Sequence, residues 1–342
     1  MSVRARGIVL CVGEPLIALT PEVGRSLESA DAFTVAEGGA ELNVAIHLAR
    51  LGVPVRFAGR VGDDPLGRRL RHALGREGVD VSTLALDETL PTGLYLKEPG
   101  EEGTAVHYFR RGSAASVVDR LPDGALVDVG HVHVTGILAA LSDACRKLVQ
   151  DLLAHPRPTA VSFDVNYRHA LWEADVAGPV LMDLARRADV VFVGLDEARE
   201  LWGADNHQAV RALLPEPAEV VVKDGRRPAV AYVGGEPRVV EPALTVDVIE
   251  PVGAGDAFAA GYLATRRDGR DVRSALRVGH ALAAGVLRSN SDHGVPPDLG
   301  LLAAARSGRQ SSPESHPTAA RPAKGHPDDG ATGGQEDDDT WA

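Results

Sequence analysis

Short apolar segments alternate with amphipathic helical segments along most of the 342-residue chain, and this alternation restricts the fold more than any other feature. Residues 8–12 are a continuous apolar run and residues 160–165 are a short segment rich in apolar side chains, whereas residues 142–154 and 272–287 repeat apolar side chains with a helical period. Strands that are apolar throughout are typical of a parallel sheet covered by helices on both faces. The sequence therefore predicts an α/β fold with a mostly parallel central sheet flanked by helices.

The alternation breaks twice, at about residues 14–38 and 90–112, where strand-like segments follow one another without helices between them. We interpret these segments as antiparallel excursions that leave the main domain and form a small β lid. A small sheet beside a sheet-based active site can close over a substrate and exclude water. Its exposed edges are a candidate surface for a homo-oligomer, although the sequence does not fix the oligomeric state.

The composition of the chain changes after about residue 306. Residues 307–342 are rich in Ser, Pro, Gly, Asp and Ala, and Trp341 is their only large apolar side chain. Such a segment buries too little apolar surface to offset its loss of conformational entropy. We therefore expect one folded domain over residues 1–306 and a disordered tail over residues 307–342.

Charge and cysteine content limit the partners and the compartment. A net charge of −12 argues against nucleic-acid binding, which requires a cationic surface. The two cysteines, Cys11 and Cys145, form no disulfide framework and no CxxC metal pair, which fits a reducing compartment. The apolar run at residues 8–12 is too short for a signal peptide, and none reaches the ~18 residues of a membrane span. A cytoplasmic protein with a small-molecule substrate is predicted.

The strongest chemical signal is residues 251–261, which read PVGAGDAFAAG. A glycine-rich turn here runs directly into an apolar helix, and its exposed amides suit anionic oxygens. Asp256 lies at the mouth of this turn, where a carboxylate can accept a hydroxyl proton during phosphoryl transfer. The alternative is that Asp256 simply caps the N-terminus of the helix.

A second signal is the diglycine Gly38-Gly39, which ends a predicted lid strand and begins a helix that carries Asn43. Its amides are candidates for holding polar groups of a substrate, although an ordinary strand-to-helix turn would look the same. The chain contains neither a GxxxxGK[ST] loop nor a GxGxxG motif after its first strand, which excludes the common rival phosphate loops.

Together these motifs resemble the ribokinase-like (PfkB) carbohydrate kinases over about residues 7–300. Within that family the chain looks most like the 2-keto-3-deoxygluconate kinases. The stretches that carry this finer likeness are residues 13–19, 92–96, 108–114, 164–168 and 171–172.

The resemblance implies transfer of the ATP γ-phosphate to the 6-hydroxyl of a keto-acid sugar, with Asp256 as general base beside the amides of Gly253, Ala254 and Gly255. It implies Mg²⁺, which Glu197 would hold through water, and it leaves open whether a monovalent cation is also needed. Lys223 and Gly225, with Gly253 and Gly255, would lie by the nucleotide. The residues implied for the sugar pocket are Gly38, Gly39, Asn43, Tyr95, Tyr108, Arg110, Arg168 and Asp292.

Each implied role has a plainer alternative. Tyr95 and Tyr108 would equally pack a lid sheet, and Arg110 and Arg168 would equally be solvated charges. Glu197 suits the start of a helix, where the dipole favours a carboxylate. Lys223 could belong to a simple turn before a glycine. His131 and His133 alternate along one strand, and their spacing does not indicate a metal site.

Four positions depart from the family pattern. The family usually has Asn or Ser at Gly194, Gly at Pro228, Asp at Glu250 and commonly Gly at Ser291. These departures concern nucleotide affinity rather than the fold. They leave two alternatives open: the same chemistry on another sugar such as fructose, and a sugar-binding regulator that has lost catalysis.

Overall fold

Strands and helices alternate along the part of the chain that the computed structural model describes, which is residues 7–100, 103–154 and 159–294. The strands are β1 (Ile8–Val12), β2 (Leu16–Pro21), β3 (Phe33–Gly38), β4 (Val55–Gly62), β5 (Asp80–Asp87), β6 (Leu94–Gly100), β7 (Gly103–Phe109), β8 (Val129–Thr135), β9 (Ala160–Asp164), β10 (Val190–Gly194), β11 (Glu219–Lys223), β12 (Ala229–Val233) and β13 (Val239–Glu241). The helices are α1 (Ala40–Arg50), α2 (Pro65–Arg76), α3 (Gly136–Leu141), α4 (Asp143–Leu152), α5 (Ala174–Arg187), α6 (Leu195–Trp202), α7 (His207–Leu213), α8 (Ala254–Arg267) and α9 (Val272–Leu287).

The large sheet has nine strands in the order β13-β12-β11-β10-β9-β8-β1-β4-β5. The seven strands from β11 to β5 pair in parallel, and β12 and β13 add an antiparallel edge. Every residue of β9 and β10 is buried, because helices cover both faces of the sheet. The apolar side chains between the sheet and these helices form two large clusters. The predicted fold class is confirmed.

The smaller sheet, which we call the lid sheet, has the order β3-β2-β6-β7. Its two hairpins, β2–β3 and β6–β7, are antiparallel, and they join along a short parallel pairing of β2 with β6. All four strands lie within residues 14–38 and 90–112. The chain returns from the lid sheet to the main domain directly at α1, whose N-cap residue is Gly39.

The strand order reverses at β1, which lies between β4 and β8. The chain builds the sheet outwards from β1 through β4 and β5, and then in the other direction from β8 through β11. In sheets of this kind ligands bind outside the carboxyl ends of the strands at the point of reversal. The loops after β1, β8, β9, β10 and β11 all open at this edge.

Helix α8 is buried along nearly its whole length and packs between α1 and α9. The close contact with α9 depends on glycine, because a Cβ atom on Gly261 would lie 2.9 Å from the backbone of Val278 and of Gly279. This packing fixes the axis of α8, and hence the direction in which its first turn faces.

The predicted tail, residues 307–342, lies outside the described residues. Among the residues that are described, no helix combines the length and the apolar character needed to cross a membrane.

We expect Gly261→Ala to destabilise the protein by about 1–3 kcal/mol, the usual cost of overpacking a tight contact. The gain in helix propensity is at most about 1 kcal/mol, so the steric term should win. Gly285→Ala in α9 is the matched control, since a Cβ there meets nothing within 4 Å, and it should stabilise by about 0.5–1 kcal/mol. Urea unfolding of both variants gives the comparison. Stabilisation by both substitutions would mean that α8 and α9 separate without cost.

Candidate active site

The glycine-rich turn leads into α8 through a left-handed residue. Gly253 is the N-cap, with φ of 86°, and a Cβ atom at this position would overlap the backbone carbonyl of Asp292. Only glycine therefore allows the turn to lie against Asp292. The first amides of α8, at Ala254, Gly255 and Asp256, have no acceptor within the helix. The Ala254 amide makes a long 3.3 Å hydrogen bond to the Pro251 carbonyl, and all three residues line the cavity.

Asp256 is in the first turn of α8 and is not its N-cap, so the plain capping interpretation of this residue is wrong. Its Oδ2 accepts a 2.8 Å hydrogen bond from Asn43 Nδ2 of α1, and its Oδ1 accepts a 3.3 Å hydrogen bond from Asn166 Nδ2. Asn166 has a left-handed φ of 39°, which places its amide under the carboxylate. Two neutral donors thus orient the carboxylate.

Burial raises the pKa of Asp256 from 3.8 to about 7. The Asn43 hydrogen bond lowers this pKa, the charge of Asp164 raises it, and the cations of Arg168 and Lys223 lower it. The net result is a carboxyl group that changes protonation near neutral pH. Such a group is suited to take up and release a proton during a reaction.

A lysine and a carboxylate lie beneath the turn. Lys223, the last residue of β11, donates a 2.8 Å hydrogen bond from Nζ to Asp164 Oδ2 at the end of β9. The ammonium is 3.4 Å from the position that a Cβ on Gly255 would take. Burial alone would lower the pKa of Lys223, but the carboxylates of Asp164 and Glu197 raise it, so the ammonium keeps its charge beside the first turn of α8.

Glu197 lies in the first turn of α6, at the same edge of the sheet as Lys223 and Asp164. Its Oε2 accepts a 2.8 Å hydrogen bond from Gly194 N, and its Oε1 accepts a 3.1 Å hydrogen bond from Tyr167 N. Burial raises the pKa of Glu197. The carboxylate therefore does bind the helix start, and it also faces the cleft near Lys223 and Asp164.

On the lid side, Tyr95 donates a short hydrogen bond from its hydroxyl to Asp292 Oδ2. Burial and the charge of Asp292 raise the pKa of Tyr95 well above its usual value, so its hydroxyl stays neutral. Tyr108 packs against Tyr95 with ring centroids 5.6 Å apart. A Cβ at Gly38 would overlap the Tyr95 hydroxyl, which gives a steric reason for glycine at this position.

The guanidinium of Arg110 is largely bound by a carboxylate from the connection between β1 and β2. Its Nε donates a 2.6 Å hydrogen bond to Glu14 Oε2, and its guanidinium lies 5.3 Å from the centre of the Tyr108 ring. The Glu14 backbone carbonyl also lies 2.5 Å from where a Cβ on Gly39 would be. Arg110 thus links lid and main domain, and any anion that binds it must share it with Glu14.

Fewer hydrogen-bond donors of Arg168 are already bound within the protein. Its Nη1 donates a 2.8 Å hydrogen bond to the Tyr167 carbonyl, lies 3.8 Å from Glu197 Oε1, and its side chain is 45% exposed. Of the two predicted arginines, Arg168 is the one with most of its donors free to meet a ligand.

One cavity of about 1090 Å³ lies between the large sheet and the lid sheet. It brings together all the predicted site residues except Gly38, which lies just behind Tyr95. The residues on its wall include Gly39, Asn43, Tyr95, Tyr108, Arg110, Arg168, Glu197, Lys223, Gly225, Gly253, Ala254, Gly255, Asp256 and Asp292. The roles of these residues remain predictions.

The structure adds residues that the sequence analysis did not assign to the site, namely Asp164, Asn166, Glu14 and Glu41. Asp164 is the last residue of the buried parallel strand β9 and Asn166 follows it, and polar residues at a carboxyl end of such a strand are a usable signal. Glu41 lies inside the second motif, accepts a 2.6 Å hydrogen bond from Thr135 Oγ1, and has a pKa that burial raises to about 7.

Two of the four departures from the family pattern have a visible structural counterpart. At Gly194 the space for a side chain is filled by the Asp196 carboxylate. Glu250 is buried, and its Oε1 accepts a 3.2 Å hydrogen bond from Val252 N inside the glycine-rich turn. Nothing in the structure explains Pro228 or Ser291.

Comparison with known proteins agrees with this geometry. Residues 8–297 match the family described as "pfkB family carbohydrate kinase". The chain is 36% identical over 269 residues to the 2-dehydro-3-deoxygluconokinase of Bacillus subtilis (strain 168), covering 75% of this chain and 82% of that protein. It is 31% identical over 295 residues to the "Probable fructokinase-7" of Arabidopsis thaliana, covering 81% and 86%. The crystal structure of a PfkB protein from Polaromonas sp. JS666 matches with a TM-score of 0.75 at 34% identity, covering 85% and 98%.

The raised pKa of Asp256 predicts a pH-dependent stability difference between the wild type and Asp256→Asn. The folded pKa of about 7 exceeds the unfolded value of about 4, so the folded wild type binds the extra proton between these pH values. The stability of the wild type therefore falls as pH rises from about 4 to about 7. Asp256→Asn has no titrating group at this position, so its stability does not fall for this reason.

We expect the free energy of unfolding of Asp256→Asn, relative to that of the wild type, to rise by about 1–3 kcal/mol between pH 5 and pH 8. Urea unfolding of both proteins across this range measures the difference, from which the other titrating groups largely cancel. A difference that stays constant with pH would place the Asp256 pKa near its ordinary value.

Proposed function

This chain belongs to the pfkB family of carbohydrate kinases, and from that premise we propose that it transfers the γ-phosphate of ATP to the 6-hydroxyl of 2-keto-3-deoxygluconate, the sugar acid also called 2-dehydro-3-deoxygluconate. The observation that carries the proposal is the Asp256 carboxylate, held by two asparagine amides at the mouth of an amide-lined turn, with a pKa of about 7. A base poised near neutral pH beside an anion-binding turn suits phosphoryl transfer to an alcohol.

The turn and the cations beside it fit the phosphates of ATP. The first amides of α8 and the Lys223 ammonium present positive charge to one region of the cavity. Gly225 lies on the cavity wall in the turn that follows β11, with φ of 55°. We assign this side to the nucleotide and the lid side to the sugar.

The acidic residues fit Mg²⁺ that is held mainly by the phosphates. Asp164 Oδ1 is buried and has no hydrogen-bond partner among the described residues, and its carboxylate lies close enough to Glu197 to raise the pKa of Glu197. Oxygen ligands of this kind suit Mg²⁺, which usually keeps several waters and uses one or two carboxylates. When bound, the ion would neutralise charge on the phosphates.

The reaction requires one proton transfer from the sugar to the protein. Asp256 accepts the proton of the 6-hydroxyl as the oxygen forms its bond to the γ-phosphorus and the bond to ADP breaks. Asn43 and Asn166 keep the carboxylate aimed at the hydroxyl. The amides of Gly253–Asp256 and the Lys223 ammonium stabilise charge on the transferred group. The lid sheet covers the sugar and keeps water from taking its place.

A sugar acid is favoured over a neutral sugar because a cation with free donors faces the cavity. Arg168 can form paired, charge-assisted hydrogen bonds with a carboxylate, which a neutral sugar cannot reciprocate. Arg110 is a weaker candidate for this role since Glu14 already occupies its Nε. The 36% identity to a protein named 2-dehydro-3-deoxygluconokinase supports the same choice.

Fructose is the second candidate substrate, and the 31% identity to a protein named a probable fructokinase favours it. A sugar-binding regulator without catalysis remains the third interpretation of the four departures. ATP turnover with a panel of sugars separates the three: preference for the keto acid, preference for fructose, or no ADP release with any sugar.

The compartment and assembly state belong to the proposal as well. Cys11 and Cys145 are both free thiols in buried positions, which fits the reducing cytoplasm. Association of subunits through the edges of the lid sheet stays a prediction.

Asp256→Asn should lower turnover by ~10²-fold or more, the usual scale for loss of a general base, because an amide keeps the shape but cannot accept the proton. In the wild type, kcat/KM should fall about tenfold per pH unit below about pH 7, since only the deprotonated carboxylate is active. Coupled ADP release between pH 5.5 and 8.5 measures both. A folded Asn variant with turnover close to the wild type would end the assignment of Asp256.

Arg168→Ala should narrow the preference for 2-keto-3-deoxygluconate over fructose by roughly ten- to a hundredfold in kcat/KM, because a charged hydrogen bond is worth about 1.5–3 kcal/mol. Exposed Arg111 at the end of the lid hairpin is the matched control, and Arg111→Ala should leave the preference unchanged. Equal losses on both sugars would give Arg168 a structural role. A wild-type preference for fructose would overturn the keto-acid substrate and leave the kinase activity standing.

A further inference from the structure

A buried ion cluster lies behind the cavity wall, where the lid sheet meets the glycine-rich turn. Lys97 of β6 is 1% exposed. Its ammonium lies 3.3 Å from Glu250 Oε2 and also contacts Asp292 Oδ1. Glu250 and Asp292 are themselves buried. Lys97 and Glu250 stand behind the residues that line the cavity, so this ammonium does not contact a bound ligand.

The two carboxylates hold the two sides of the turn. Glu250 precedes it in sequence and accepts a hydrogen bond from the amide of Val252. Asp292 follows α9, and its backbone carbonyl lies so close to Gly253 that a side chain there would overlap it. The positions of these two acidic residues therefore determine where the turn and the first amides of α8 lie.

Lys97 offsets one of the two negative charges of the cluster. Thr104 Oγ1 lies 3.1 Å from Glu250 Oε2, and the Tyr95 hydroxyl binds Asp292, but both of these donors are neutral. Lys97 thus supplies the positive charge that the cluster contains. Without it, two buried carboxylates would repel each other and would also repel phosphate oxygens at the neighbouring turn.

We propose that Lys97 is a positioning residue that acts as a built-in monovalent cation: its ammonium, delivered by the lid sheet, holds Glu250 and Asp292 so that the turn can receive phosphate. This inference rests on the proposed phosphate site at Gly253–Asp256. It implies that the wild type needs no added potassium or ammonium ion, because the chain provides that charge itself. It also makes the lid sheet a contributor to the phosphate side of the cavity as well as to the sugar side.

The test is Lys97→Met, which keeps most of the apolar stem and removes the charge. In choline chloride, kcat/KM for ATP should fall by ~10–100-fold, the scale of a lost charged contact. Potassium or ammonium chloride at the same ionic strength should raise the kcat/KM of Lys97→Met by at least about tenfold, since a small cation can occupy the space between the two carboxylates. The wild type and the exposed control Lys147→Met should each have about the same kcat/KM in all three salts.

A second variant separates positioning from simple anchoring of the lid. Lys97→Met combined with Glu250→Gln removes one of the two negative charges, so it should regain activity in choline chloride and lose the response to potassium. The same cation response should appear in melting temperature, with potassium stabilising Lys97→Met more than choline does. That readout does not depend on turnover.

Three results would overturn the proposal. One is wild-type activity that rises tenfold or more when potassium replaces choline, which requires no variant. Another is full activity of Lys97→Met in choline. The last is an inactive but folded Lys97→Met that neither salt nor Glu250→Gln improves, which would make Lys97 an anchor of the lid only. If the wild type phosphorylates no sugar, the proposed function fails, while the melting-temperature comparison still decides whether Lys97 replaces an external cation.

Discussion

Parallel pairing of the central strands is the constraint on which the rest of this structure depends. Because β1, β8, β9, β10 and β11 run in the same direction, the polar residues that follow them all emerge at one edge of the sheet. Asp164, Lys223 and Glu197 come together for this reason, although long stretches of sequence separate them. The buried helix α8 then brings its first turn to the same edge, and the lid sheet covers it.

Burial and charge are balanced differently on the two sides of the cavity. At the end of β11, the cation of Lys223 lies among carboxylates and keeps its charge. At the centre, neutral amides surround Asp256, so burial prevails and its pKa rises. On the lid side, the charges are paired across the boundary between the two sheets, as in Arg110 with Glu14 and Lys97 with Asp292. The lid is therefore joined to the main domain by ionic contacts as well as by the chain.

The sequence predicted the fold class and most of the cavity wall because both follow from local signals. Alternating apolar runs indicate the sheet, and glycine-rich turns before helices indicate the site. Strand β5 was not predicted, since Asp80–Asp87 is a half-buried edge strand with polar residues and no continuous apolar run. Lys97 was also missed, because a lysine in a lid strand is ordinarily exposed. Its burial depends on Glu250, which is 153 residues further along the chain, and no local pattern carries that information.

The two asparagines that hold Asp256 also keep a third negative charge away from Asp256 and Asp164, because their side chains are neutral amides. Hydrolysis of an asparagine amide, a common chemical lesion of stored and heated proteins, turns a neutral donor into a carboxylate. At Asn43 or Asn166 the new carboxylate would face Asp256 directly and would raise its pKa further by repulsion between like charges. A single hydrolysed amide would therefore make Asp256 release its proton at a higher pH than in the intact protein.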